Sequence, residues 1–293
     1  MGSLEAALVA LRSGRAYADL SGWRKVLVSG EDARSWLNDL LSADLADLPD
    51  GSTRRSLLLS PTGRIRADVT VAATGRGLAL FQDPIQPDAV DRLLAPYVLS
   101  SDVELIDATE ELALVAVPEP GTPPTTDAEM LRPSCLGPGT DLLAAADRLP
   151  EVREAVIDLT PVDPEALDAW RIERGVARFG VDLRDASLPH EAGLDHAVAY
   201  AKGCFLGQEA VARVRNLGHP PFVVLAVDGE GPVAVGQAIT TDGEAVGSVT
   251  SAAPVDGGRT AAIVRVRWAA RDAALRTEGG GILRPVGLAA GPA

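Results

Sequence analysis

At 293 residues and 30.4 kDa the chain exceeds the usual size of one compact core, so two or three packed units are expected. Its 27 basic and 41 acidic side chains leave a formal charge of -14, which disfavours bulk binding to a phosphate backbone. The two cysteines are too few for a disulfide framework, and no apolar run approaches the roughly 20 residues needed to cross a bilayer.

Apolar residues make up 46% of the chain and aromatic ones only 4%, so the core must be built mainly from Ala, Val and Leu. The opening stretch MGSLEAALVALRSGRAYADL lacks the uninterrupted apolar segment of a signal peptide, and Ala6 stands where N-myristoylation requires Ser or Thr. A cytoplasmic protein with reduced thiols and no membrane partner is expected.

In chain order, VLVS predicts a strand that passes into an amphipathic helix with Ser29 as N-cap and Asp32 helping the first turn. Trp36, Leu37, Leu40 and Leu41 share one face of that helix. SLLLSPTGRIRADVTVA predicts two strands joined at Pro61-Thr62-Gly63; LALF follows as a strand and AVDRLLAPYVL as a helix. A second unit begins near LALVAV, after which PEPGTPPTTD reads as a loop and DLLAAADRL as a helix. PEALDAWRIERGVARFGVDL predicts a helix capped near Asp163, with Pro164 in its first turn and a stop around Gly175. From about Asn216, short β-rich runs broken by glycines predict a small antiparallel barrel or sandwich, with a glycine-rich tail that ends frayed.

The stretch KGCFLGQEAVAR, residues 202 to 213, places one of the two cysteines between glycines and ahead of a helix. An unpaired helix N-terminus and Lys202 two residues away would both favour the Cys204 thiolate, while glycines 203 and 207 leave room for another molecule. The alternative is a small buried hydrophobe beside a tight turn. His190, His196 and His219 have spacings that fit no zinc pattern.

KGCFLGQEAVAR resembles the K-G-C-[FY]-x-G-Q-E-x-x-x-R signature of the YgfZ proteins, the folate-binding branch of the glycine-cleavage T-protein (GcvT) superfamily. VSGEDARSWLNDLLSADL, SPTGRIRAD, WRIERGVARFGVDL with LPHEAGL, and AVGSVTSAA are similar to further family segments in the same order. The resemblance implies an α+β protein of three domains in a ring: a folate-binding unit over 1–110, a related unit over 111–215 carrying the motif, and a β-barrel over 216–293.

The resemblance also implies a tetrahydrofolate in a central channel. Asp68, Glu173, Lys202 and Arg213 are the positions it assigns to that ligand, with Glu173 directed at the pterin and Cys204 as the reactive group. A helix-surface Glu173 paired with Arg174 or Arg178 is the competing reading. Arg64, Arg66 and Arg215 join Arg213 as candidates for a polyglutamyl tail, against the simpler expectation that they face solvent. Ala67 stands where the aminomethyltransferases carry an aspartate, which argues against transferase chemistry.

The favoured expectation is therefore a monomeric accessory protein that binds tetrahydrofolate and uses Cys204 in the maturation or repair of iron–sulfur enzymes, including those that modify tRNA, with iron–sulfur client proteins as partners. The alternatives are a folate-dependent aminomethyltransferase, or a scaffold that has lost the ligand.

Overall fold

The computed structural model describes residues 3–121, 124–255 and 258–289. Helix α1 (Ser3–Arg12) leads into β1 (Ala16–Asp19) and β2 (Arg24–Ser29), then α2 (Ala33–Leu40), β3 (Thr53–Leu59), β4 (Ile65–Thr74), β5 (Gly77–Gln82), α3 (Val90–Leu94) and β6 (Glu104–Asp107). Five of these strands form an antiparallel sheet in the order β3-β4-β5-β2-β6. Period-two alternation divides its faces. Val26, Val28, Ala67, Val69, Val71 and Leu80 bury one face against Trp36 and Leu37 of α2 and Val90 and Leu94 of α3. The opposite face carries Ala72, Ala79 and Phe81.

The second sheet is built from β7 (Leu112–Val117), β8 (Glu129–Leu131), β9 (Thr140–Ala145) and β10 (Thr160–Val162), and it takes β1 from the N-terminal segment, in the order β10-β1-β7-β9-β8. The unit expected over 1–110 thus lends its first strand to its neighbour, and residues 20–23 cross from one sheet to the other. Ala18, Leu20, Leu112, Leu114, Ala116 and Leu143 pack against the free face of the first sheet. Val115, Val117 and Leu142 face outward and are covered by Val152 of α4 (Leu149–Ala155) and by Val156.

DLLAAADRL is not a helix from its start. Its first five residues belong to β9, which lies between β7 and β8 with Leu142 and Leu143 buried on opposite faces. Alanine and leucine favour helix intrinsically, but pairing on both sides overrides that preference. Ser29 does not cap α2 either: Gly30 adopts φ +111 and Asp32 occupies the N-cap position, its carboxylate accepting from the Asp102 amide instead of from the helix.

Helix α5 (Pro164–Glu173) matches its sequence signals, with Asp163 accepting from the Ala166 amide at 2.8 Å and Gly175 left-handed at φ +68. Helix α6 (Gln208–Leu217) follows, and then β11 (Phe222–Glu230), β12 (Ala238–Thr241), β13 (Glu244–Pro254), β14 (Arg259–Arg267), β15 (Leu275–Thr277) and β16 (Ile282–Leu288) close an antiparallel barrel. The glycine-rich tail supplies a barrel strand, β16, which pairs with both β11 and β15, and the end expected to fray, residues 290–293, lies outside the described residues. Val223, Leu225, Val227, Ile239 and Val264 fill the barrel. Its outer residues Val224, Ala253 and Ile263 join Leu8, Trp170 and Phe205 in the core where all three units meet. No helix among the described residues is long and apolar enough to cross a membrane.

The KGCFLGQE segment acts as a clamp in this core. The Lys202 ammonium donates to the carbonyls of Asn38, Leu41 and Ala43 at 2.5, 2.6 and 2.6 Å, tying the segment to the end of α2. Phe205 is buried, and Gly207 at φ +82 lies so close to Ser60 that a Cβ would stand 2.5 Å from its carbonyl oxygen. In the second sheet, the fully buried Asp141 accepts from the Ser134 hydroxyl at 2.5 Å and the Cys135 amide at 2.8 Å, fixing the turn between β8 and β9.

Lys202→Met should lower unfolding free energy by about 3 kcal/mol or more, read by denaturant titration, because it strands three carbonyls at once. Burial raises the Asp141 carboxyl to about 6 from 3.8, so its contribution to stability is greatest below pH 3.8 and is lost as pH rises to 6. The unfolding free energy of wild type relative to Asp141→Asn should accordingly fall by about 3 kcal/mol between those limits.

Candidate functional site

A cavity of 370 Å³ opens where the inner faces of the two sheets diverge and α5 closes the gap. Small-molecule sites span about 300–1,000 Å³, so this one suits a single bicyclic ring system. Trp23 from the crossing between sheets, Phe81 from β5, Trp170 from α5 and Phe179 from the segment after it supply flat aromatic surface. Five aspartates and three arginines share the wall with them.

Asp68 is placed there by strand alternation. On β4 the side chains of Asp68 and Thr70 face the cavity, whereas Ala67 is fully buried on the opposite face among the valines and leucines beneath α2. A carboxylate at position 67 would enter that apolar core and not the cavity, so Ala67 does not remove a group from the site. Arg55 of β3 pairs in register with Thr70, which sets its guanidinium diagonally across from Asp68. It donates Nε to Oδ1 at 2.9 Å and Nη2 to Oδ2 at 2.5 Å. Burial works against the Arg55 charge, but the attraction and hydrogen bonds of Asp68 outweigh it and raise the guanidinium pKa. Among the described residues Arg55 Nη1 has no acceptor, though it is buried. Gln86 braces the same strand, donating to the Asp68 carbonyl at 2.6 Å and accepting from its amide at 3.0 Å.

A second set of ion pairs joins the three units at the cavity. Arg178 donates Nε and Nη2 to Asp83 at 2.5 and 2.9 Å and approaches Asp168 at 3.4 Å. Burial opposes the Arg178 charge, and Asp83 more than restores it. Arg171 bonds Asp168 and the fully buried Asp182, each at 2.7 Å. Asp182 in turn accepts from the barrel hydroxyls of Thr250 and Ser251 at 2.6 and 2.7 Å. RFGVDL and VTS therefore belong together because one supplies the carboxylate and the other its hydroxyl donors.

Of the residues expected to form the site, only Asp68 lines the cavity. Cys204 is exposed and outside it, four residues ahead of α6, and Lys202 spends its donors on carbonyls. The structure thus does not bring the thiol expected to be reactive into the cavity beside Asp68. Glu173 bonds Arg12 of α1 at 2.7 and 3.0 Å, a partner that neither sequence reading named. Arg213 and Arg215 are exposed, with Arg215 over the Tyr200 ring; Arg64 donates to the Ala186 carbonyl and Arg66 to Asp88. The cysteine that does line the cavity is Cys135, whose thiol is held well above its ordinary pKa by burial and by Asp141. Sequence reasoning missed Arg55, Asp83 and Arg178, because nothing in their spacing signals that three distant segments converge.

Residues 2–122 match the GCVT N-terminal domain family. The chain is 25% identical over 278 residues to an aminomethyltransferase of Thermotoga petrophila, covering 83% of this chain and 76% of that protein. It is 28% identical over 284 residues to an aminomethyltransferase of Streptomyces avermitilis, covering 84% and 76%. The crystal structure of glycine cleavage system aminomethyltransferase T from Bartonella henselae superposes with a TM-score of 0.78 at 20% identity, over 96% of this chain and 88% of that one. These likenesses overturn the expectation of an iron–sulfur accessory protein, for which neither the relatives nor the placement of Cys204 gives support, and they favour the transferase alternative. The matched N-terminal domain and the aminomethyltransferase relatives make the chain similar to the GcvT superfamily, without singling out its YgfZ branch, and the solved structure shares its fold.

Proposed function

We propose that this protein is a tetrahydrofolate-dependent transferase of one-carbon units, of the aminomethyltransferase kind. The observation that carries the reading is Asp68, a cavity-facing carboxylate fixed through both oxygens by Arg55 and flanked by aromatic surface. A reduced pterin is flat and rich in N–H donors, so it matches the aromatic walls and the surplus of aspartates over arginines. The unpaired Arg55 Nη1 is a buried donor with which an acceptor on the occupant would complete the guanidinium's hydrogen bonding.

Tetrahydrofolate supplies the nucleophilic nitrogens that carry the one-carbon unit. Trp23, Phe81 and Trp170 would hold the ring and keep water from it. Asp68, oriented by Arg55 and Gln86, is the group placed to accept an N–H from the ligand and to manage its proton during transfer. Arg178 and Asp83 hold the loop after β5 against the segment that follows α5, so the cavity keeps its shape.

Incubation with tetrahydrofolate and an aminomethyl-loaded lipoyl carrier should yield methylenetetrahydrofolate, with Asp68→Asn slowing it by about 10²–10⁴-fold. Absence of product from wild type would reject the transferase reading. Because Trp23 and Trp170 lie in the wall, titrated folate should quench intrinsic fluorescence saturably; no saturation at high micromolar ligand would indicate a scaffold that has lost the ligand.

A further inference from the structure

Lys25 on β2 is 0% exposed, yet no carboxylate of the described residues lies within ion-pair distance of its ammonium. It stands opposite Phe81 of β5, which puts its side chain on the cavity face of the first sheet. A buried unpaired charge costs several kcal/mol, whereas methionine would fill a similar space without that cost. Burial presses the Lys25 pKa downward, and Glu110, Asp107 and Asp19 oppose this only at longer range.

What the ammonium does that methionine could not is bond carbonyls. It donates to Ser21 O at 2.6 Å and Trp23 O at 2.8 Å. Both belong to the crossing between the sheets, where the Trp23 amide also donates to Leu20 O at 2.8 Å and the Ser21 amide to Asp19 Oδ1 at 2.9 Å. Leu20, Gly22 and Trp23 of this turn line the cavity, and a Cβ on Gly22 would meet nothing within 4 Å. At Gly22 no neighbouring atom crowds the turn, so hydrogen bonds join the packing of Leu20 and Trp23 in holding it.

The geometry points to Lys25 as a positioning residue, whose ammonium fixes the turn so that the Trp23 indole forms one wall of the ligand cavity. It touches no ligand itself and acts through Trp23. The consequence for affinity rests on the folate reading given above; the consequence for Trp23 does not.

The test uses the full chain labelled with 5-fluorotryptophan, whose four ¹⁹F resonances report Trp23, Trp36, Trp170 and Trp268, with Trp23→Phe assigning the first. Lys25→Met should shift or broaden the Trp23 resonance while those of Trp36 and Trp268 hold. Lys25→Arg, which keeps charge and donors, should restore it. With 5-formyltetrahydrofolate as the probe, Lys25→Met should raise Kd about tenfold. An unmoved Trp23 resonance in Lys25→Met, or failure of arginine to restore it, would overturn the proposal. So would failure of both Lys25→Met and Lys25→Gln to fold, which would make the lysine a general structural residue. If wild type binds no 5-formyltetrahydrofolate, the folate reading fails while the resonance measurement still decides the role of Lys25.

Discussion

A charged carboxylate on the inner face of a β-sheet is costly unless a cation or hydrogen-bond donors meet it, and the meeting of Asp68 with Arg55 sets the character of this molecule's centre. Sheet-on-sheet packing by itself would have produced a dry layer of alanine and leucine, as it does where Ala72 and Ala79 oppose Leu114 and Ala116. The charged pair lies at one end of that layer, with the cavity beside it. The Arg178–Asp83 and Arg171–Asp182 pairs then draw the segment after α5 and the barrel into the same region. Polar contacts thus decide how three apolar cores join, and the cavity forms where they join.

The architecture was largely legible from residues, and its failures have identifiable causes. Alternation in SLLLSPTGRIRADVTVA and the glycine-broken runs after Asn216 encode strands because one side of each must be buried. DLLAAADRL misleads because a central strand buried on both faces carries no period-two signal. The strand exchange of β1 leaves no trace in composition, since AYAD pairs with partners about a hundred or more residues away.

The site was less legible than the fold. Asp68 was accessible because the family resemblance assigned it, on a stretch whose alternation also reads as a strand. The weight placed on Ala67 did not survive, since adjacent strand residues face opposite ways and only one of the two can reach the cavity. KGCFLGQE shows how a specific string can serve structure: Lys202 binds carbonyls, Phe205 fills the core and Gly207 permits close approach of Ser60, while nothing in the structure explains the exposed Cys204. The exposed Cys204 and the cavity lined by the half-buried Cys135 are separate features, whereas the linear reading had put its reactive thiol with the expected ligand.

The most direct measurement of the central claim is a crystal structure of the full chain with 5-formyltetrahydrofolate. The account predicts the pterin ring against Trp23 and Trp170, with a ring nitrogen or amino group within hydrogen-bond distance of Asp68. A ligand seated at the Cys204 surface, or a pterin that leaves the Asp68 cavity empty, would contradict it.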